Sequence, residues 1–177
     1  MSVFDDIASA KVFDQGGNYF VPARFKVKVE RAVIEPYAKA PRQKIAKVEF
    51  RVMEFEARER TAPSRYKVGD RVSLIVNLSK EMGPTNIKAF ITAAGEQLLW
   101  SKGATHAKVR EFLNDCAQSE ENPDNFKKHS EDMFGPESVI KDLVIEVVGF
   151  NKPKADGTDF TRLKWLVDRP EDFNPKG

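Results

Sequence analysis

The sequence predicts an α+β protein, mainly β: a five-stranded antiparallel barrel with a helical segment between strands 3 and 4. Three observations carry this expectation. Strand-like hydrophobic runs recur at residues 20–34, 45–56, 70–78, 139–150 and 159–167, most with the period of two that gives a strand one buried and one wet face. Between the third and fourth runs the apolar spacing changes to that of helices. Turn-forming pairs, Gly69-Asp70 and Asp156-Gly157, stand just before the third and fifth runs.

In the first strand Phe25, Val27 and Val29 alternate with Lys26, Lys28 and Glu30, and the pattern then slips toward Val33 and Ile34. A slip of this kind signals a bulge or a strong bend, as small barrels need. Pro36 ends the run, and PYAKAPRQKIAK (Pro36 to Lys47) reads as the connecting loop. Strand 2 points Val48, Phe50 and Val52 inward and slips again between Met53 and Phe55. Strand 3 buries Val72, Leu74, Val76 and Leu78. Pro84 suits the first turn of a helix, in which Ile87, Phe90, Ile91, Ala94 and Leu98 share a face. Thr105 is a natural N-cap for a second helix burying Val109, Phe112, Leu113 and Cys116. Residues 118–136 are polar, acidic and turn-rich, and read as a surface insertion or flexible loop. Strand 4 spans Val139 to Phe150. Strand 5 sets Thr161, Leu163, Trp165 and Val167 on one face, with Phe160, Arg162, Lys164 and Leu166 on the other. Trp165 therefore reads as core. This chain order is that of the OB-fold, a Greek-key barrel that binds oligonucleotides through the face of strands 2 and 3 and the loops joining strands 1–2 and 4–5. The organisation expected is an N-terminal arm at 1–17, a single OB-fold-like domain at 18–167 with a helical, acidic insertion at about 84–138, and a tail at 168–177.

The 177 residues carry a net charge of +2 that conceals an uneven distribution. Residues 1–110 hold 20 Lys and Arg against 12 Asp and Glu, whereas residues 111–138 hold 2 against 8. A basic, strand-rich half beside an acidic segment suits a polyanion-binding surface, although an ordinary charged surface gives the same counts. No run approaches the ~18–20 apolar residues of a membrane helix. The N-terminus has acids where a secretory signal has basic residues. Cys116 is the only cysteine, so no internal disulfide is possible and a reducing cytoplasm fits. On the apolar face of a helix it reads as a core thiol rather than a nucleophile.

Catalysis finds no support in the pattern. His106 and His129 are the only histidines, and neither has a Cys or His at ligand spacing, so no metal site is expected. Asp156 and Asp159 belong to a hairpin turn. No phosphate-cradling glycine motif occurs, and no cofactor is implied. Binding fares better. A single strand is held by cations that follow its phosphates and by aromatic rings that stack on its bases. The candidates for phosphate contact are Lys39, Arg42, Lys44 and Lys47 in the first loop, Arg51 on strand 2, and Arg65 and Lys67 before strand 3. Lys152 and Lys154 in the last loop join Arg162 and Lys164 on strand 5, with Tyr37, Tyr66 and Phe160 as stacking candidates.

The segments GGNYFVPARFKVKV, VEFRVMEF, GDRVSLIVNLSK, NIKAFITAAG and KADGTDFTRLKW together resemble phage-encoded single-stranded DNA-binding proteins of the OB-fold type. The shared points are an aromatic-rich opening strand, a strand ending just before an N-I-K-x-F helix, and a closing G-x-x-F-x-x-x-x-W hairpin. The similarity spans most of residues 16–167. It implies sequence-tolerant binding that protects single-stranded DNA in replication or recombination, in the host cytoplasm. Replication or recombination proteins, and further copies of the chain, would then be its partners. The tail departs from the family pattern: PEDFNPKG ends in Lys-Gly rather than in an acidic, hydrophobic terminus. The other reading is a protein–protein interaction or assembly module of a virion or replisome, without nucleic-acid binding.

Overall fold

The alternating runs fold as strands of one antiparallel sheet, and the helically spaced residues as three helices. A computed structural model describes residues 19–57, 66–153 and 159–177; the N-terminal arm lies outside the described residues. β1 (Ala23–Tyr37), β2 (Ala40–Ala57) and β3 (Arg71–Asn77) form a meander. The helices α1 (Gly83–Ser101), α2 (His106–Ala117) and α3 (Pro123–Met133) follow, and β4 (Val144–Pro153) and β5 (Asp159–Leu166) complete the sheet. The strand order is β3-β2-β1-β4-β5, every neighbouring pair antiparallel.

The sheet is not closed into the expected barrel. β3 and β5 are its two edges. The space that closure would use is filled by the residues leading into β1 and by α1. Tyr19 makes an isolated parallel bridge to Ser73 on β3. The Phe20 ring packs edge-on against Phe25, Phe50 and Trp165 at 5.0, 5.6 and 5.8 Å between centroids. Val21 runs so close to β4 that a Cβ on Gly149 would overlap its carbonyl oxygen, which is why the strand carries glycine at that point. The sheet nevertheless curls strongly: Phe50 of β2 stacks on Trp165 of β5 at 5.7 Å, and Phe90 of α1 meets the same indole at 4.9 Å. Trp165 packs against the core from the face its alternation assigns, but is only partly buried.

Both anticipated slips are real irregularities. The β1–β2 register shifts between Lys26 and Val27, which leaves Met53 unpaired, and again between Val29 and Arg31 around Glu30. Each bulge moves the inward set by one residue, so Ala32 succeeds Val29 and Phe55 succeeds Val52. Three expectations need correction. The Pro36 to Lys47 segment is not a loop: both strands continue through it as a hairpin, turning only at Ala38-Lys39. The polar 118–136 stretch contains α3, which starts with a proline in its first turn and packs Phe126 and Met133 onto the core. β4 begins at Val144, because Asp142 takes a left-handed conformation (φ 67°) and breaks the run, while Ile140 and Leu143 stay buried. The Thr105 cap forms as expected, its side chain accepting from the Lys108 amide at 3.2 Å.

The helical layer is tied to the sheet by the chain's last residues. Glu96 of α1 is 1 % exposed. Arg169 grips its carboxylate with two parallel bonds of 2.6 and 2.7 Å, and the Trp100 indole donates a third at 3.0 Å. Beyond it Phe173 is buried against Trp100 and His106, at 4.8 and 5.4 Å, and Arg110 holds the Asn174 carbonyl at 2.9 Å. Among the described residues no helix is long and apolar enough to cross a membrane.

Removing one partner of a buried ion pair costs ~3–5 kcal/mol. The Arg169 side chain is 42 % exposed, so Arg169→Ala is expected to cost less, about 2–3 kcal/mol in urea unfolding. In a Glu96→Gln background, where no buried charge is left uncompensated, the same change should cost under ~1 kcal/mol. Equal losses in the two backgrounds would show that the carboxylate does not depend on Arg169.

Candidate nucleic-acid interface

The outer face of β1, β2 and β3 alternates cations with carboxylates, and the two find each other across the strands. Arg51 donates to Glu30 from Nε at 2.7 Å, and Arg71 reaches the same carboxylate at 3.5 Å. Glu49 takes both Lys47 at 3.3 Å and Arg31 at 3.7 Å. Lys26 pairs with Glu54 at 4.0 Å, Lys28 with Asp142 at 3.7 Å and Arg24 with Glu146 at 2.5 Å. Two of the residues chosen from sequence, Lys47 and Arg51, therefore sit within an ion-paired lattice. Arg51 is further occupied by the Gly69 carbonyl, to which it donates at 2.8 Å. Among the described residues the cations of this face are paired one by one rather than left as a run of free charge.

The hairpin beyond it is different. Lys39 stands at the turn, Arg42 lies in the irregular stretch where Tyr37 pairs with Ala40 and Pro36 with Lys44, and Lys44 follows. All three are exposed, and none makes an ion pair among the described residues. The base of the hairpin is held in place: the Lys44 carbonyl accepts from the Leu78 amide at 2.9 Å, and Asn77 donates to Gln43 at 2.9 Å. The result is a basic ribbon on a fixed root.

The other candidates divide as follows. Lys67 is exposed in the turn before β3, where its amide donates to Asp70 at 2.8 Å. Arg162 and Lys164 are exposed on β5. Tyr37 and Tyr66, expected as exposed stacking platforms, are buried at 8 % and 3 % exposure. Tyr66 belongs to a ring cluster with Phe25 and Phe55, at 5.5 and 5.8 Å, and its hydroxyl donates to the Tyr19 carbonyl. Arg65 and Lys154 lie outside the described residues, as do the side chains of Lys152 and Phe160.

Both histidines serve packing. His129 of α3 bonds Asp115 of α2 at 3.1 Å and abuts Phe112 edge-on at 4.9 Å. His106 backs Phe173. Among the described residues no three His, Cys, Asp or Glu side chains converge as metal ligands would. Burial pushes the Cys116 thiol up, partly offset by its hydrogen bond with Thr92.

No family model matches the sequence, and a search of curated proteins returns no match.

Two expectations follow. Tyr66→Phe deletes one hydroxyl contact and should cost about 0.5–1.5 kcal/mol in chemical denaturation, with polyanion binding unchanged. A binding loss without a stability loss would return Tyr66 to the interface. For Cys116 the raised pKa favours the neutral thiol in the folded state. Its contribution is complete below the ordinary thiol pKa of about 8.5 and is lost as pH rises through the higher folded value. The urea midpoint should therefore fall more steeply above that pH than it does for Cys116→Ala, and parallel slopes would contradict this.

Proposed function

We propose that this protein binds single-stranded DNA without sequence preference and without catalysis, protecting it during replication or recombination in the cytoplasm. The β1–β2 hairpin is its principal phosphate contact. The observation that carries this reading is the contrast between two adjoining surfaces. Cations on the outer sheet face are neutralised by Glu30, Glu49 and Glu54. Lys39, Arg42 and Lys44 are exposed on the hairpin and make no ion pair among the described residues. Cations left unpaired by the fold are those that gain most from a phosphate, because no internal pair has to break first. The resemblance to phage single-stranded DNA-binding proteins points the same way.

A second reading, an assembly module, draws on a different feature. β4 pairs with β1 only from Arg24 to Lys28, so the Val33–Glu35 side of β1 has no strand partner among the described residues, and Ile34 there is 48 % exposed. Strand edges of this kind pair with other chains.

The experiment is fluorescence anisotropy of a labelled oligo-dT strand over a range of salt, with duplex DNA as competitor. Binding should prefer the single strand and weaken with salt. Each lost phosphate contact lowers the slope of log K against log salt by about 0.7 for a single strand. The triple variant Lys39→Ala/Arg42→Ala/Lys44→Ala should therefore lower it by about 2. No binding at low salt would discard the reading in favour of the assembly module, and an unchanged slope would move the phosphate contact away from the hairpin.

A further inference from the structure

A groove of about 540 Å³ runs between α1 and β5, on a part of the molecule outside the hairpin and the outer sheet face. Its α1 wall is built from short side chains, Thr85, Ala89, Thr92 and Ala93, whose spacing places them on one helical face. Trp165 borders the groove from β5. The indole is held by Phe20, Phe50 and Phe90, yet is not wholly covered. The groove thus has a rigid aromatic edge beside hydroxyl groups.

Its charge is one-sided. Three cations line it, Lys88, Lys164 and Arg169, against one acid, Glu96. Glu96 is already taken by Arg169. Lys88 and Lys164 make no ion pair among the described residues; Lys88 lies 5.7 Å from the Phe126 ring centroid. The lining therefore carries two uncompensated positive charges next to an aromatic surface. These are the elements that hold an unstacked nucleotide, an aromatic contact for the base and ammonium groups for the phosphates. Paired and stacked bases have no face to offer such a site.

We propose that this groove is a second contact for the single strand, holding one unstacked nucleotide with its base against Trp165 and its flanking phosphates at Lys88 and Lys164. The inference rests on the nucleic-acid reading above. It adds an aromatic contact that the buried tyrosines do not provide.

Trp100→Phe leaves Trp165 as the only tryptophan, because the chain has two. In that background, saturating oligo-dT should quench Trp165 emission and shield it from acrylamide. Adding Lys88→Ala/Lys164→Ala should remove the quench and lower the salt slope by about 1.4, two single-strand phosphate contacts. Adding the hairpin substitutions instead should weaken binding but leave the quench at saturation. Coincident thermal melts would establish that the groove variant is folded. The shielding measurement needs no change in the groove and stands if that variant is not folded. Binding with no change in Trp165 emission or shielding would overturn the groove while leaving the hairpin reading intact. A folded groove variant that keeps both quench and slope would do the same. No binding by the parent protein would overturn both.

Discussion

Four aromatic rings drawn from four separate stretches of chain meet at one point, and the architecture depends on their contact. Phe20 precedes the sheet, Phe50 lies in its second strand, Phe90 on the first helix and Trp165 on the last strand. Each ring touches Trp165 within 6 Å. Aromatic pairs favour edge-to-face and offset geometries over open separation, so this cluster brings β2 and β5 toward each other across an open sheet. The curl of the sheet, the seating of α1 and the position of the chain entering β1 all follow from one packing solution. Closure by backbone hydrogen bonds, which a barrel would use, is replaced here by side-chain contact.

The placement of charge obeys the same geometry. On the curved outer face, cross-strand neighbours lie close enough for Lys and Arg to find Glu, and the net field there is small. Where the β1–β2 ribbon extends past the end of β3, no third strand among the described residues lies beside it to supply an acid. The positive charge that survives is thus a product of topology as much as of composition. The buried Glu96 shows the opposite case. Enclosed by α1 and the tail, its carboxylate is gripped by the Arg169 guanidinium in two-pronged geometry, and that geometry fixes the path of residues 168–177.

Much of this was legible in the sequence, and what was not has physical reasons. Strand alternation located all five strands, and the broken alternation at Met53 marked a true bulge because one face had to remain buried on both sides of it. Thr105 announced its helix through hydrogen-bond chemistry confined to three residues. The open sheet was not legible, because closure is decided by contacts such as Phe20 with Trp165 that lie far apart in sequence. α3 was hidden because its apolar anchors are Phe126 and Met133 alone, too few to show a helical stripe, and the rest of its attachment is polar, His129 and Asn125 bonding Asp115 of α2. The hairpin was mistaken for a loop because Pro36 and Pro41 break the alternation without ending the strands. At the candidate site, Lys39, Arg42 and Lys44 stood out as a run of cations without an acid. The pairing of Arg51 with Glu30, 21 residues away, depends on strand register. Tyr66 sits in a basic stretch, and its local sequence gives no sign that its ring belongs to the core.

The close approach of Val21 to Gly149 also bears on the order in which the chain assembles. The β1–β2–β3 meander joins segments that follow one another directly, and short closures of this kind form early. Residues 19–21 are sequence neighbours of β1, but one side of their seat, Gly149 of β4, emerges about 130 residues later. During synthesis residues 19–21 therefore leave the ribosome long before that part of their seat exists. Tyr19 and Phe20 meet β3, Phe25 and Phe50 within the meander, but their seat stays open on one side until β4 and β5 bring Gly149 and Trp165, so residues 19–21 are among the last of the described residues to be locked in place.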